Sequence, residues 1–206
     1  MATRAFTKHD AGFTIVELLI GVAIFGLFLT GIYAVLVANI KTYQSEQNSM
    51  VQTQDLRAGL STMVWEMRMA GYDPPAGAAG AGIVTANASE MRVTMNLNAE
   101  AGDTDLNDAN EDVRYAINAS GHLGRETGGA GGLQPVVENV TALAFTYFDA
   151  NNAQLTFVPL NATDRAAVRS VLVTVTSLTP DIDPVSGAQK QKTYTTRVMM
   201  RNMGLN

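Results

Sequence analysis

The sequence predicts an α+β chain, a single long helix followed by an antiparallel sheet, and three observations predict it. From Phe13 to Ile40 the chain is almost wholly apolar, with Glu17 as its one charged residue. From Lys41 to Ala70 apolar residues recur near the helical period, and beyond residue 82 the period changes to two. A pattern of one helix and then consecutive short strands is the signature of segregated helix and sheet layers.

The first twelve residues, Met1 to Gly12, are polar and place Arg4 and Lys8 ahead of the apolar run, as in the positive region of an export signal. Lys and Arg on that side predict a cytoplasmic location for this end. Residues 13–40 then read FTIVELLIGVAIFGLFLTGIYAVLVANI, and Leu18 to Ile40 contains no charge. At about 1.5 Å per residue a helical run of this kind reaches roughly 35 Å, enough to cross a hydrocarbon core of about 30 Å. Gly21, Gly26 and Gly31 recur every five residues within it, at positions that suit close helix packing and equally reflect the frequency of Gly in membrane helices.

The second half of the helix, residues 41–72, carries Tyr43, Met50, Leu56, Leu60, Met63, Met67 and Gly71 on one expected face, with Trp65 and Met69 also expected in the core. Asp73, Pro74 and Pro75 are expected to stop it near residue 70, because proline disfavours helical geometry before it and lacks the donor for continuation. Ala76 to Gly82 reads as a Gly/Ala linker, and residues 73–206 as a globular antiparallel β domain. Strands are expected at 83–85, 91–97, 113–118, 122–126, 140–148, 155–158, 168–177 and 193–201. The segment Ser170 to Thr176 alternates polar and apolar side chains, as a half-buried sheet requires. Turns are expected at Asn118 to Gly121, Gly128 to Gly132, Asn151 with Asn152, and Pro180 to Gly187.

Composition narrows the function classes. In 206 residues the formal net charge is -5, and no cluster of Lys and Arg exists, which excludes a nucleic-acid partner. There is no cysteine, so thiol catalysis, thiolate metal sites and disulfides are excluded as well.

The motif that carries most information is Gly12-Phe13-Thr14-Ile15-Val16-Glu17 at the head of the apolar run. It resembles the processing site of type IV pilins and of type II secretion pseudopilins: a Gly closing a short basic leader, an aromatic residue, and a carboxylate four residues later. The resemblance implies a pilin fold, a leader at residues 1–12 removed by prepilin peptidase between Gly12 and Phe13, and N-methylation of the new amine on Phe13. The ending His9-Asp10-Ala11-Gly12 departs from the basic residue more usual before the glycine. Glu17 bears its own argument, because a carboxylate among apolar residues costs several kcal/mol unless it is paired. In a filament of staggered parallel helices, the Phe13 amine of a newly added subunit could supply the cation for Glu17 of its neighbour; the alternative is a Glu17 solvated near the membrane surface with no such role. That pairing would also set register.

Glu66 to Tyr72, ending in R-M-A-G-Y, resembles the corresponding segment of PilW-type minor pilins, a group with relatives among the pseudopilin J subunits of type II secretion. The stretches from Val137 to Tyr147 and from Arg169 to Thr176 are similar to closing strands of that group. The resemblance implies a structural subunit without enzyme activity, held in the inner membrane by one helix and then carried to the periplasmic or extracellular filament. Its implied partners are other minor pilins, the major pilin, prepilin peptidase and the inner-membrane assembly platform. A J-like pseudopilin and a single-pass membrane-anchored binding or sensor domain are the alternatives.

Weaker constellations remain. Asp103, Asp105, Asn107, Asp108, Asn110, Glu111 and Asp112 bring hard oxygen ligands close together, a set that suits either an irregular Ca²⁺ loop or a solvated acidic loop. Arg114 stands where an EF-hand would need its bidentate Glu, and Asp108 where it would need Gly. His9 and His122 form no catalytic pair, and the Gly128 to Gly132 run has no following Lys, which makes it a hairpin loop rather than a phosphate cradle.

Overall fold

The computed structural model describes residues 12–74, 79–97, 105–129 and 131–204, so the leader up to residue 11 and Asp103 lie outside the described residues. Helix α1 spans Ile15–Met69. Nine strands and one short helix follow: β1 Ile83–Ala86, β2 Glu90–Thr94, β3 Asp112–Ile117, β4 Leu123–Thr127, β5 Gln134–Val137, β6 Val140–Phe148, β7 Gln154–Leu155, α2 Ala162–Ala167, β8 Ser170–Leu178 and β9 Gln191–Met199. The chain divides into two units, Met1–Gln44 and Ser45–Asn206.

In the first unit the described apolar side chains are exposed apart from half-buried Val37, among them Phe13, Leu18, Ile24, Phe28, Ile32 and Leu36. Gly21, Gly26 and Gly31 face open space.

In the second unit the single expected sheet is in fact two antiparallel sheets, one ordered β1-β2-β3-β4-β5 and one ordered β7-β6-β8-β9. Backbone bonds join them where Phe145 N–H donates to Ala88 O at 2.8 Å and Leu160 N–H to Ala86 O at 3.0 Å. β5 escaped the sequence reading because Pro135 breaks the strand pattern. The proline is tolerated because β5 is an edge strand, where a missing donor costs no ladder bond. The expected strand at 155–158 shrinks to Gln154–Leu155, and Pro159 follows just past the expected span. Helix α2 was not anticipated, although Asn161 caps it by accepting from Asp164 N–H. The alternation on β8 holds: Val171, Val173 and Val175 are fully buried.

The buried stripe of α1 differs in phase from the expected one. It runs Ser45, Ser49, Gln52, Leu56, Gly59, Leu60, Met63, Glu66 and Met67. Leu56, Leu60, Met63 and Met67 are core residues as expected, whereas Tyr43, Met50 and Trp65 are exposed. Upstream of Leu56 the inward positions are small or polar, so a count of apolar residues alone picks the wrong face. Gly59 belongs to this stripe because the chain comes too close for a side chain: a Cβ there would lie 2.4 Å from Val137 Cγ2 and 3.0 Å from Val136 Cγ1, both on β5. The helix ends before the prolines. Gly71 has φ +80 and donates its N–H to Thr94 O at 3.0 Å, a left-handed residue just past the last turn that L-residues with a Cβ adopt reluctantly. Asp73 then closes the following turn by accepting from Ala79 and Gly80 N–H at 2.9 and 3.0 Å.

Candidate functional site

The head of α1 is organised by two side chains. Thr14 precedes the first helical residue; its N–H and its hydroxyl each donate to Glu17 Oε2 at 2.9 Å, and Glu17 N–H donates back to Thr14 Oγ1 at 3.2 Å. This is a capping box, in which the residue before the helix and the one three further on satisfy each other's orphan donors. Its T-x-x-E spacing is legible in the sequence, but the sequence reading assigned Glu17 only an intermolecular role. The two roles are compatible, because Oε2 takes all the intramolecular bonds and Oε1 accepts none among the described residues. Gly12 and Phe13 lie outside the helix, exposed, and Phe13 is 89% accessible.

A carboxylate with one free oxygen therefore stands at the start of an exposed apolar helix. Such a surface has to be covered, by lipid or by other chains. The helix is long and apolar enough to cross a membrane.

Glu66 is the second acid on α1 that matters, and it is buried. Arg125 of β4 reaches it with Nε at 2.9 Å from Oε1 and with a second, shorter Nη2 contact, and the Tyr115 hydroxyl of β3 donates to its Oε2. Burial, and then the Glu66 carboxylate, push the Tyr115 pKa up, so the phenol stays a donor. Arg125 also donates to Asn110 Oδ1 at 2.8 Å. Within the segment read as PilW-like, Glu66 thus pins the helix to the five-stranded sheet, Met67 fills the core and Gly71 turns the chain. All three roles are structural.

A third polar cluster ties Ser45 to the β8–β9 connection. Asp183 accepts from Lys190 Nζ at 2.7 Å, from Val185 N–H at 2.7 Å and from Ser45 Oγ at 3.1 Å. The Lys190 ammonium first, then the Val185 amide, hold the Asp183 carboxyl down at about 2.

The acidic loop residues are drawn into separate tasks. Asp112 pairs with Arg92, Glu111 is fully buried and accepts from Leu97 and Asp108 N–H, and Asp105 accepts from Asn107 N–H at 3.0 Å. No three His, Cys, Asp or Glu side chains converge as a metal site among the described residues. His122 accepts from Asn139 N–H at 3.3 Å, a structural bond. The Gly128 to Gly132 run connects β4 to β5, with Gly128, Gly129 and Gly132 at positive φ, as a hairpin loop should.

Comparison with known proteins agrees with this geometry. Residues 7–33 match the model for the prokaryotic N-terminal methylation motif, a span that contains Gly12, Phe13, Thr14 and Glu17. Among solved structures, the type IV-like pilin TTHA1219 from Thermus thermophilus is similar, with a TM-score of 0.50 and 13% identity over 73% of this chain and 96% of that one. No curated protein matches the chain. The chain thus carries the N-terminal methylation motif on a fold similar to that of a type IV-like pilin: a long N-terminal helix packed in its second half on antiparallel sheets. That motif and fold point to a structural protein rather than an enzyme, and the apolar helix is consistent with membrane anchoring.

Proposed function

We propose that the chain is a minor pilin of the PilW type. Prepilin peptidase cuts it between Gly12 and Phe13, the Phe13 amine is methylated, and residues 13–40 hold it in the inner membrane until the assembly platform moves it into a filament. There, with other minor pilins and the major pilin, it primes or caps the pilus. The observation that carries this reading is the bonding of Glu17: its Oε2 is committed to Thr14 while Oε1 accepts nothing among the described residues, on a helix with no other charge between Phe13 and Ile40. A cut after Gly12 would create a cationic amine four residues from that carboxylate in every subunit. A stack of parallel helices brings such an amine to Oε1 of the neighbour without dismantling the capping box.

Mass spectrometry of the purified protein tests the processing step. A methylated Phe13 terminus is expected, and an intact Met1 terminus refutes it. Glu17→Ala should leave a folded membrane protein that fails to enter filaments; unchanged incorporation, measured by immunogold counting on sheared filaments, refutes the assigned role. Deleting the gene and scoring surface filaments against protein secretion separates a pilus subunit from a J-like pseudopilin, since loss of secretion with normal filaments assigns the chain to the secretion system.

A further inference from the structure

An edge strand presents unpaired N–H and C=O groups that can template another chain, and folded proteins close such edges by shortening or covering them. Among the described residues the two sheets have β1, β5, β7 and β9 at their edges, and three of these are short or covered. On β1, Arg165 Nε donates to Ile83 O at 3.1 Å and Leu160 N–H to Ala86 O at 3.0 Å. β5 has four residues, one of them Pro135. β7 has two, and just past it Phe145 N–H of β6 is taken up by Ala88 O at 2.8 Å. β9 is different: it runs nine residues, Gln191–Met199, without Pro or Gly, and pairs with β8 throughout with no register shift.

The ladder fixes which of its backbone groups stay open. Met200 N–H donates to Arg169 O and Thr179 N–H to Lys190 O, both at 2.9 Å and both in register with the β8–β9 pair. Antiparallel bonding falls on alternate residues, so Lys192, Tyr194, Thr196 and Val198 bond to β8, while Gln191, Thr193, Thr195, Arg197 and Met199 turn their N–H and C=O groups to the open side. No other backbone group among the described residues bonds to those five. The strand is held ready, because the Thr193 and Thr195 hydroxyls bond those of Thr176 and Thr174 on β8 at 3.0 and 3.2 Å. Beside the start of β9 lies a groove of about 270 Å³ shared with α1, its lining including Glu46, Ser49, Met50, Arg57 and Lys192. Ser49 is only 8% exposed, and its hydroxyl makes no hydrogen bond among the described residues. Arg57 and Lys192 are exposed, and neither forms an ion pair among the described residues.

We propose that the open edge of β9 is a docking site for an extended, acidic strand of another polypeptide, which joins the four-stranded sheet beyond β9. Such a strand lies about 4.8 Å from β9 and sends alternate side chains toward α1, the side on which the groove opens. Main-chain bonds to Thr193, Thr195 and Arg197 hold it, and its carboxylates meet Arg57 and Lys192, with the Ser49 hydroxyl as a further donor. Charge selects this occupant. From Pro184 to Asn206 the chain carries Lys190, Lys192, Arg197 and Arg201 and no acidic residue, although the whole has a formal net charge of -5. Of these four, Lys190 alone forms an ion pair among the described residues, with Asp183. Cations on an edge ordinarily deter pairing of like edges, so a second copy offering its own β9 would bring the same charges together, whereas an acidic strand meets opposite ones. Glu46 also borders the groove and is outnumbered by Arg57 and Lys192. The docking does not require entry into a filament.

The test uses the isotopically labelled full chain in detergent micelles and a capped peptide of alternating Glu and Val, matched in length to β9. NMR should show saturable binding with slowed amide exchange at Thr193, Thr195 and Arg197, and no change at Tyr194 and Thr196, whose amides already bond to β8. Arg57→Glu with Lys192→Glu, both at exposed positions, should weaken binding at least about tenfold. The same peptide N-methylated along its bonding side cannot add as a strand and should not bind, a comparison that leaves the protein itself unaltered. Failure of the acidic peptide to bind, equal binding of a Lys/Val peptide or of the N-methylated one, undiminished binding to the double variant, or binding that leaves the Thr195 amide unprotected overturns the proposal. Protection of these amides without peptide, rising with protein concentration, overturns it as well and assigns the edge to a second copy.

Discussion

Replacing Glu66 by Ala removes the acceptor that holds Arg125 and Tyr115 in place. Tyr115 is 1% exposed and Glu66 2%, so the phenol is left in the core without a partner, at a cost of about 1–3 kcal/mol. The Arg125 side chain keeps 22% accessibility and its bond to Asn110, which lets it rehydrate in part. Breaking a buried pair costs about 3–5 kcal/mol, and the partial exposure of Arg125 places the loss near the lower end, about 3 kcal/mol. For a chain of this size that corresponds to a fall in Tm of roughly 6–12 °C. Thermal unfolding of the full chain in detergent at pH 7, followed by circular dichroism, measures it. Glu66→Gln keeps an acceptor for Tyr115 and should lose about half as much. The double replacement Glu66→Met with Arg125→Met removes both charges and should recover most of the loss, because apolar packing competes well with a desolvated ion pair. A Tm for Glu66→Ala within about 2 °C of the parent, or a double variant no better than the single one, would show that the pair is not the unit that fastens α1 to the sheet.

Other outcomes follow from neighbouring features. Gly59→Ala gains about 1 kcal/mol of helix propensity but drives a methyl group into Val137 and Val136, and overpacking costs about 1–3 kcal/mol, so a net loss near 1 kcal/mol is expected in denaturant titrations; a stabilised variant would contradict the close approach. Asp183 titrates at about 2 when folded against an ordinary 3.8, so its contribution is complete above the ordinary value and fades as the pH falls through the folded one. The Tm gap between the parent and Asp183→Asn should therefore hold at neutral pH and close between about pH 4 and pH 2; a gap that persists or widens in acid would refute the assignment.

Much of this architecture was readable in the residues because it rests on local chemistry. The charge-free run after Glu17 and the alternation of Ser170 to Thr176 leave few choices for the backbone, and both elements were located to within a residue or two. Reading failed where a tertiary contact overruled local character. Ser45 and Gln52 face inward because the β8–β9 connection and β8 supply Asp183 and Ser177 as partners, and nothing in the helix sequence announces those partners. Pro135 is a strand residue because β5 lies at the edge of its sheet, and no strand was expected there. The Gly12 to Glu17 motif was legible at once, whereas Thr14 needed the structure to show that its hydroxyl and amide both serve Glu17.

The five-stranded sheet has a consequence for how the chain can be delivered across a membrane. Each strand from β1 to β5 lies beside the one that precedes it in the chain, so no strand waits for a segment made much later. Such short-range pairing forms quickly, and a chain tethered at its amino end could zip this sheet shut in the order in which it emerges. The partnership of β6 with β8 must instead span β7 and α2. Pulse-labelled hydrogen exchange during refolding should find β2, β3 and β4 protected ahead of β6 and β8; simultaneous or reversed protection would mean that emergence order leaves no imprint on the pathway.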